Sequence, residues 1–296
     1  MESTGVLIAQ RDSVRIAYEA FGPPEGEPLL LIMGLGMQMI AWHDGFLRAL
    51  VEQGFQVVRF DNRDVGLSTH FAEAGKPSVF GMIFRPQATA SYGLDAMAND
   101  ALVVLDALGW DSAHVVGGSL GGMIAQVLAV RHAPRVRTLT SMMATPSPRI
   151  GRSTIRFAMK IAGLQRRPIR DREEAAQRHV DLFGLIGSPG YALDEPWLRE
   201  VGRLSYDRGY DPAGRLRQQA ALLASGDRRK ELSEVNVPTL VLHGEEDKVW
   251  RPSGGRATAE AIPGARLVTY PGMGHGALPR ELWPAVVCEI RRLVWS

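Results

Sequence analysis

Cysteine is nearly absent: Cys288 stands alone among 296 residues, so no disulfide can form within the chain. That usage fits a reducing compartment. No apolar run approaches the ~18 residues a membrane-spanning helix needs, and the first fifteen residues, Glu2 among them, lack the apolar core of a secretory signal. Charge of neither sign dominates, with 34 Lys and Arg against 32 Asp and Glu and a net of +2; nucleic acid and anionic membranes are therefore not expected as partners. No G-x-G-x-x-G opens a helix after a strand, and no G-x-x-x-x-G-K-[ST] occurs. No cluster of His, Cys and acidic residues has metal-ligand spacing either, so no cofactor and no metal are expected. These absences make a soluble, cytoplasmic protein the default expectation, with a homodimer left open as its assembly state.

What is present suits a large globular fold: 45% apolar residues, 22% charged, and length enough for one big domain carrying an insertion. Val14 to Glu19 alternates apolar and polar residues and, with the strand-like segment before it, predicts a small antiparallel start. Pro28 to Met33 is a continuous apolar run closed by Gly34-Leu35-Gly36, as in a strand buried on both faces. A helix is predicted from about Ile40 to Gln53, then a strand over Phe55 to Phe60, the polar turn Asp61 to Ser68, and a helix from about Leu94 to Leu108. Strands follow at 113–118, Val136 to Met143, Val237 to His243 and Ala265 to Tyr270, with helices after 119, through Ala257 to Ile262 and from about Arg280. Cys288 falls in that last helix, where a buried packing role is expected. Alternating strands and helices imply an α/β fold with a mainly parallel, doubly wound sheet, whose reactive groups gather at the carboxyl ends of the strands.

Between Pro146 and Ser233 the strand pattern vanishes and helical texture replaces it. This segment is rich in Lys and Arg, while the rest of the chain is net acidic. It reads as a helical cap inserted across the top of a core formed by residues 1–145 and 234–296. Its basic character would suit an anionic substrate, although surface solvation explains it more simply.

The chemistry centres on 113–125, a short apolar strand, a tight turn and a helix, with Ser119 at the apex of Gly117-Gly118-Ser119-Leu120-Gly121. This is G-x-S-x-G, a turn that strains the serine backbone, lifts its hydroxyl clear and points helix N–H groups at nearby charge. The pattern is weak alone; its place between strand and helix strengthens it. A serine hydroxyl needs a base, and the base needs a carboxylate to fix its tautomer. His275 is the candidate base, in the glycine-rich loop 271–276 after the last strand. Asp247 is the candidate acid, after the preceding strand, with Glu245 and Glu246 as rivals. Of the other histidines, His114 and His243 lie within strands, His132 near a helix end, and His43, His70 and His179 in no comparable loop. The oxyanion formed on attack needs two N–H donors, expected from Leu120 and from Leu35 in the turn after the first buried strand.

Along nearly its full length the chain resembles the α/β-hydrolase superfamily, through Met33-Gly34-Leu35-Gly36, the turn 61–68, Gly117 to Gly122, Gly244 to Asp247 and Gly272 to Gly276. Leu31 to Gly34 and Asn62-Arg63-Asp64 look most like the bacterial esterases akin to aclacinomycin methylesterase. The resemblance implies the α/β-hydrolase fold, a Ser119–Asp247–His275 triad, donors Leu35 and Leu120, and a helical cap. It also sets the chain apart from members that use aspartate at the position of Ser119. Many members have histidine where Met33 stands, so the oxyanion turn must be held by other means; many have glycine where Asp64 stands, and that acid is expected to make a structural hydrogen bond near Arg63.

Met33, Met37, Met39, Trp42, Met123, Met142 and Met143 cluster near strand ends, and Trp42, Met37 and Met143 are the candidate substrate contacts in an adaptable apolar pocket. At least half of the cluster is expected to be plain core. The leading expectation is a serine-dependent hydrolase of small to medium carboxylic esters, working through an acyl-enzyme. Lactone opening or peracid formation would use the same triad, and a ligand-binding receptor could occupy the same fold.

Overall fold

The apolar runs become eight strands: β1 (Leu7–Arg11), β2 (Val14–Phe21), β3 (Glu27–Ile32), β4 (Phe55–Phe60), β5 (Ala113–Gly118), β6 (Val136–Met142), β7 (Thr239–Gly244) and β8 (Arg266–Tyr270). A computed structural model describes residues 3–295 and joins these strands into one sheet of order β1-β2-β4-β3-β5-β6-β7-β8. β1 pairs antiparallel with β2, and β2 with β4; every later pairing is parallel. Leu29 to Ile32 are fully buried and β5 is buried throughout, as expected of central parallel strands covered on both faces. The α/β, mainly parallel sheet expected from the sequence is the one found.

The helices are α1 (Asp44–Val51), α2 (Val79–Phe84), α3 (Pro86–Thr89), α4 (Leu94–Ala107), α5 (Leu120–Arg131), α6 (Ile155–Arg166), α7 (Arg172–Ile186), α8 (Glu195–Gly209), α9 (Pro212–Ala224), α10 (Arg229–Leu232), α11 (Ser253–Ala261) and α12 (Trp283–Val294). α4, α5 and α11 cover one face of the sheet, α1 and α12 the other. α4 buries Leu94, Met97, Ala101, Leu102, Val104 and Leu105, the stripe its spacing predicts.

Three local differences have physical causes. The helix predicted from Ile40 begins at Asp44 instead: the His43 ring accepts from the Gly45 N–H at 2.8 Å, capping the helix there, and Met39–Ala41 forms a separate 3-10 turn. The sequence pattern predicts neither α2 nor α3: Phe80, Ile83 and Phe84 of α2 are exposed and leave no apolar period to read, and α3 spans only Pro86 to Thr89 with no large apolar residue. Cys288 is exposed rather than buried. The inner face of α12 is taken by Val286, Val287, Ile290 and Leu293, and position 288 lies off that stripe.

Five helices, α6 to α10, lie between β6 and β7. Leu182, Phe183, Ile186 and Leu198 of α7 and α8 form a hydrophobic cluster of their own. α9 and α10 reach down, placing Ala221, Leu222 and Leu232 in the cluster beneath α4 and α5. α9 is also tied by charge. Arg217, 1% exposed, donates to both oxygens of the fully buried Asp64 at 2.9 and 2.7 Å, and to Asp211 at 2.8 Å. Asp64 takes the Tyr92 hydroxyl at 2.6 Å and the Phe71 N–H at 2.8 Å as well, so the pair is fully hydrogen-bonded, as a buried charge must be. Asp64 thus makes structural hydrogen bonds, while its neighbour Arg63 binds Asp100 through two bonds of 2.6 and 2.7 Å.

Candidate active site

Ser119 joins β5 to α5 with φ 56° and ψ −116°, a conformation that costs a non-glycine residue roughly 1–3 kcal/mol. The neighbouring backbones impose it. A Cβ on Gly117 would lie 2.2 Å from the Gly121 carbonyl oxygen, and one on Gly121 would lie 2.0 Å from that of Ile32 in β3. Helix and strands therefore approach more closely than any side chain allows, and the Ser119 N–H is anchored on the Met142 carbonyl at 2.8 Å.

Two strand-end loops bring the partners. Asp247 follows β7, is 2% exposed, and accepts from the N–H groups of Val249 and Trp250 on Oδ1 at 2.8 and 2.9 Å. Its Oδ2 lies 2.7 Å from Nδ1 of His275. A carboxylate only accepts, so Nδ1 carries the proton and Nε2 is left as an acceptor. The Ser119 hydroxyl donates to that Nε2 at 2.9 Å. Burial alone would raise the Asp247 carboxyl; His275, by its charge when the ring is protonated at acid pH and by its hydrogen bond, together with His243, outweighs it and holds it at about 2.

The His275 loop is clamped from above. The His275 N–H donates to the Ile186 carbonyl at 2.9 Å, and that of Gly274 to the Ser188 hydroxyl at 3.0 Å. A Cβ on Gly274 would lie 1.9 Å from the Gly187 oxygen. The carboxyl end of α7 thus fixes the imidazole, a support that the glycine spacing hints at and that no local pattern identifies.

Gly34 packs on the Ser119 turn, its Cβ position 3.3 Å from both the Gly118 oxygen and the Ser119 Cβ. Among the described residues neither the Leu35 nor the Leu120 N–H has a protein acceptor. The turn that lacks a histidine at Met33 is held otherwise: Asn62 donates to the Met33 carbonyl at 2.9 Å, and Gln218 of α9 accepts from the Gly36 N–H at 2.8 Å while donating to the Arg63 carbonyl at 2.7 Å.

Ser119 and His275 open into a cavity of about 1330 Å³, larger than most small-molecule pockets. Trp42, Met37 and Met143 all line it, with Met33 and Met142; Met39 and Met123 do not, and are fully buried in the core. Of the rival histidines, His114 is bonded to Thr138 and Glu27, His243 to the Trp250 carbonyl, and His70 to Asp211 and the Gly66 carbonyl. His43 sits between Trp197 and Trp283, tilted to both rings. Asp64, His70 and Asp211 bring ligand atoms within 4.8 Å of one another, but Arg217 already binds both acids, which makes them an ion-pair hub.

The fold and this geometry define an α/β hydrolase. The chain belongs to that family: residues 27–281 match the family model described as alpha/beta hydrolase fold. Within it, the chain is 32% identical to the rhodomycin D methylesterase of Streptomyces peucetius, over 95% of this chain and 96% of that protein. It is 30% identical to the rhodomycin D methylesterase of Streptomyces sp. (strain C5), with the same two coverages. A hydrolase of Pseudomonas aeruginosa PA01 superposes with a TM-score of 0.74 at 26% identity, covering 99% of both chains. No helix among the described residues is long and apolar enough to cross a membrane.

Proposed function

We propose that this carboxylic ester hydrolase works through an acyl-serine intermediate, with Ser119 as nucleophile, His275 as general base and Asp247 as the group that fixes its tautomer. The observation that carries this reading is the unbroken relay from Asp247 Oδ2 through His275 to the Ser119 hydroxyl, 2.7 Å and then 2.9 Å. In the first half-reaction Nε2 takes the hydroxyl proton as the oxygen attacks the ester carbonyl, and the protonated imidazole then returns it to the leaving alcohol. Water repeats the sequence on the acyl-enzyme.

The Leu35 and Leu120 N–H groups, with no acceptor of their own, serve as the oxyanion donors, each worth about 10²–10³-fold in turnover. Residues 146–233 act as the cap over the cavity, and Trp42, Met37 and Met143 contact the substrate. Methyl esters are the first substrates to try, because the relatives are named as methylesterases. Repeated turnover of a methyl or p-nitrophenyl ester, abolished in Ser119→Ala, is the expected result. A single stoichiometric burst without turnover would favour a ligand-capturing receptor instead.

A further inference from the structure

The arginines at the junction of α8 and α9 differ in one respect. Arg208 binds Asp61 at 2.6 Å and Arg217 binds Asp64 and Asp211. Arg215, between them, lines the cavity, and its guanidinium has no hydrogen bond or ion pair with any described residue. Its stem is pinned: a Cβ on Gly36 would lie 2.5 Å from the Arg215 Cγ. The side chain therefore rests on the same turn that carries Leu35, one residue from the Leu35 N–H.

A second cation faces the same space. Arg178 of α7, 8% exposed, also lines the cavity and donates to the Arg167 carbonyl at 2.6 Å, with no carboxylate partner. It is close enough for its charge to act on Arg215; burial, partly offset by Tyr210 and reinforced by that repulsion, makes the Arg215 charge costly to hold. The acids of the cavity wall offer no relief. Asp194 is bound by Arg280, Asp211 by Arg217 and His70, and Glu281 is exposed.

An unpaired cation in a substrate cavity fits a partner that the substrate brings. We propose that Arg215 and Arg178 form an anion subsite, so that the enzyme selects esters bearing a second, ionised carboxylate, which a guanidinium can grip through two parallel bonds. This rests on the ester-hydrolase reading of the same cavity. It also gives the basic insertion a role beyond surface solvation, through two of its arginines.

The test compares two esters of equal length, monomethyl suberate and methyl octanoate, followed by pH-stat at neutral pH. The wild type is expected to favour the anionic ester in kcat/KM by roughly 10- to 100-fold, the range for a hydrogen-bonded charge, and to lose that preference as salt is raised. Arg215→Met keeps the stem on Gly36 and removes the charge; the ratio should fall toward one, and Arg215→Lys should restore part of it. Equal rates in the wild type, or a ratio unchanged in Arg215→Met, would overturn the proposal. Calorimetry with suberate separates the two readings. Binding to Ser119→Ala that is lost in the double variant Ser119→Ala/Arg215→Met supports the subsite even if no ester turns over, and absence of binding to Ser119→Ala refutes it.

Discussion

Replacing Asp247 by asparagine should silence the enzyme while leaving its fold in place. Oδ1 of Asp247 is held by the N–H groups of Val249 and Trp250 at 2.8 and 2.9 Å. In Asp247→Asn the amide oxygen must keep that position, because turning the NH2 there would set donor against two donors, at about 1–3 kcal/mol for each bond lost. The amide nitrogen then faces His275 Nδ1 across 2.7 Å and donates to it. Nδ1 becomes the acceptor, the ring proton moves to Nε2, and the Ser119 hydroxyl loses its base. A loss of about 10⁴-fold in kcat is expected from a wrong tautomer of this kind, with little change in KM.

The same substitution removes a stabilising charge. The Asp247 carboxyl sits at about 2, against an ordinary 3.8, a difference worth about 2 kcal/mol at neutral pH. Because the folded value is the lower one, this stabilisation is complete above about pH 4 and is lost as pH falls from there toward 2. Urea denaturation at pH 7 and pH 3 should show the gap between wild type and variant shrinking at the lower pH. Retention of more than a tenth of kcat by Asp247→Asn, or a stability gap that does not change with pH, would refute the reasoning.

Gly121→Ala should be poorly folded, since its Cβ would lie 2.0 Å from backbone in β3; Gly118→Ala, whose nearest neighbour is the Trp42 ring at 3.7 Å, should melt within a few degrees of wild type by calorimetry. Arg217→Met leaves Asp64 buried without its cation and should cost about 3–5 kcal/mol in urea unfolding. Cys288 should titrate fully with a thiol reagent in the native protein without loss of esterase activity, because it is exposed on the outer side of α12.

The parts of this molecule legible in its sequence are those whose physics is local. Leu29 to Ile32 and the strands at 113–118 and 239–244 are buried on both faces, so they read as apolar runs ended by glycine. The turn around Ser119 and the loop around His275 announce themselves because backbones meet too closely there for any side chain. What stayed hidden depends on distant partners. Gln218 supports the turn at Gly36 from 182 residues away, and Arg217 meets Asp64 across 153; neither has a neighbour that signals the pairing. The insertion's charge was plain, but only the folded chain separates Arg217, which is paired, from Arg215, which is not. α2 left no trace because most of its large apolar side chains face outward, and the four residues of α3, Pro86 to Thr89, include none.

The relay from Asp247 to Ser119 is most directly tested by covalent trapping. Diethyl p-nitrophenyl phosphate should release one p-nitrophenolate per chain and leave a diethylphosphoryl group on the peptide containing Ser119, as read by intact-protein and peptide mass spectrometry. Asp247→Asn and His275→Ala should slow that labelling by orders of magnitude. An unlabelled protein, or a phosphoryl group on a residue other than Ser119, would contradict the account.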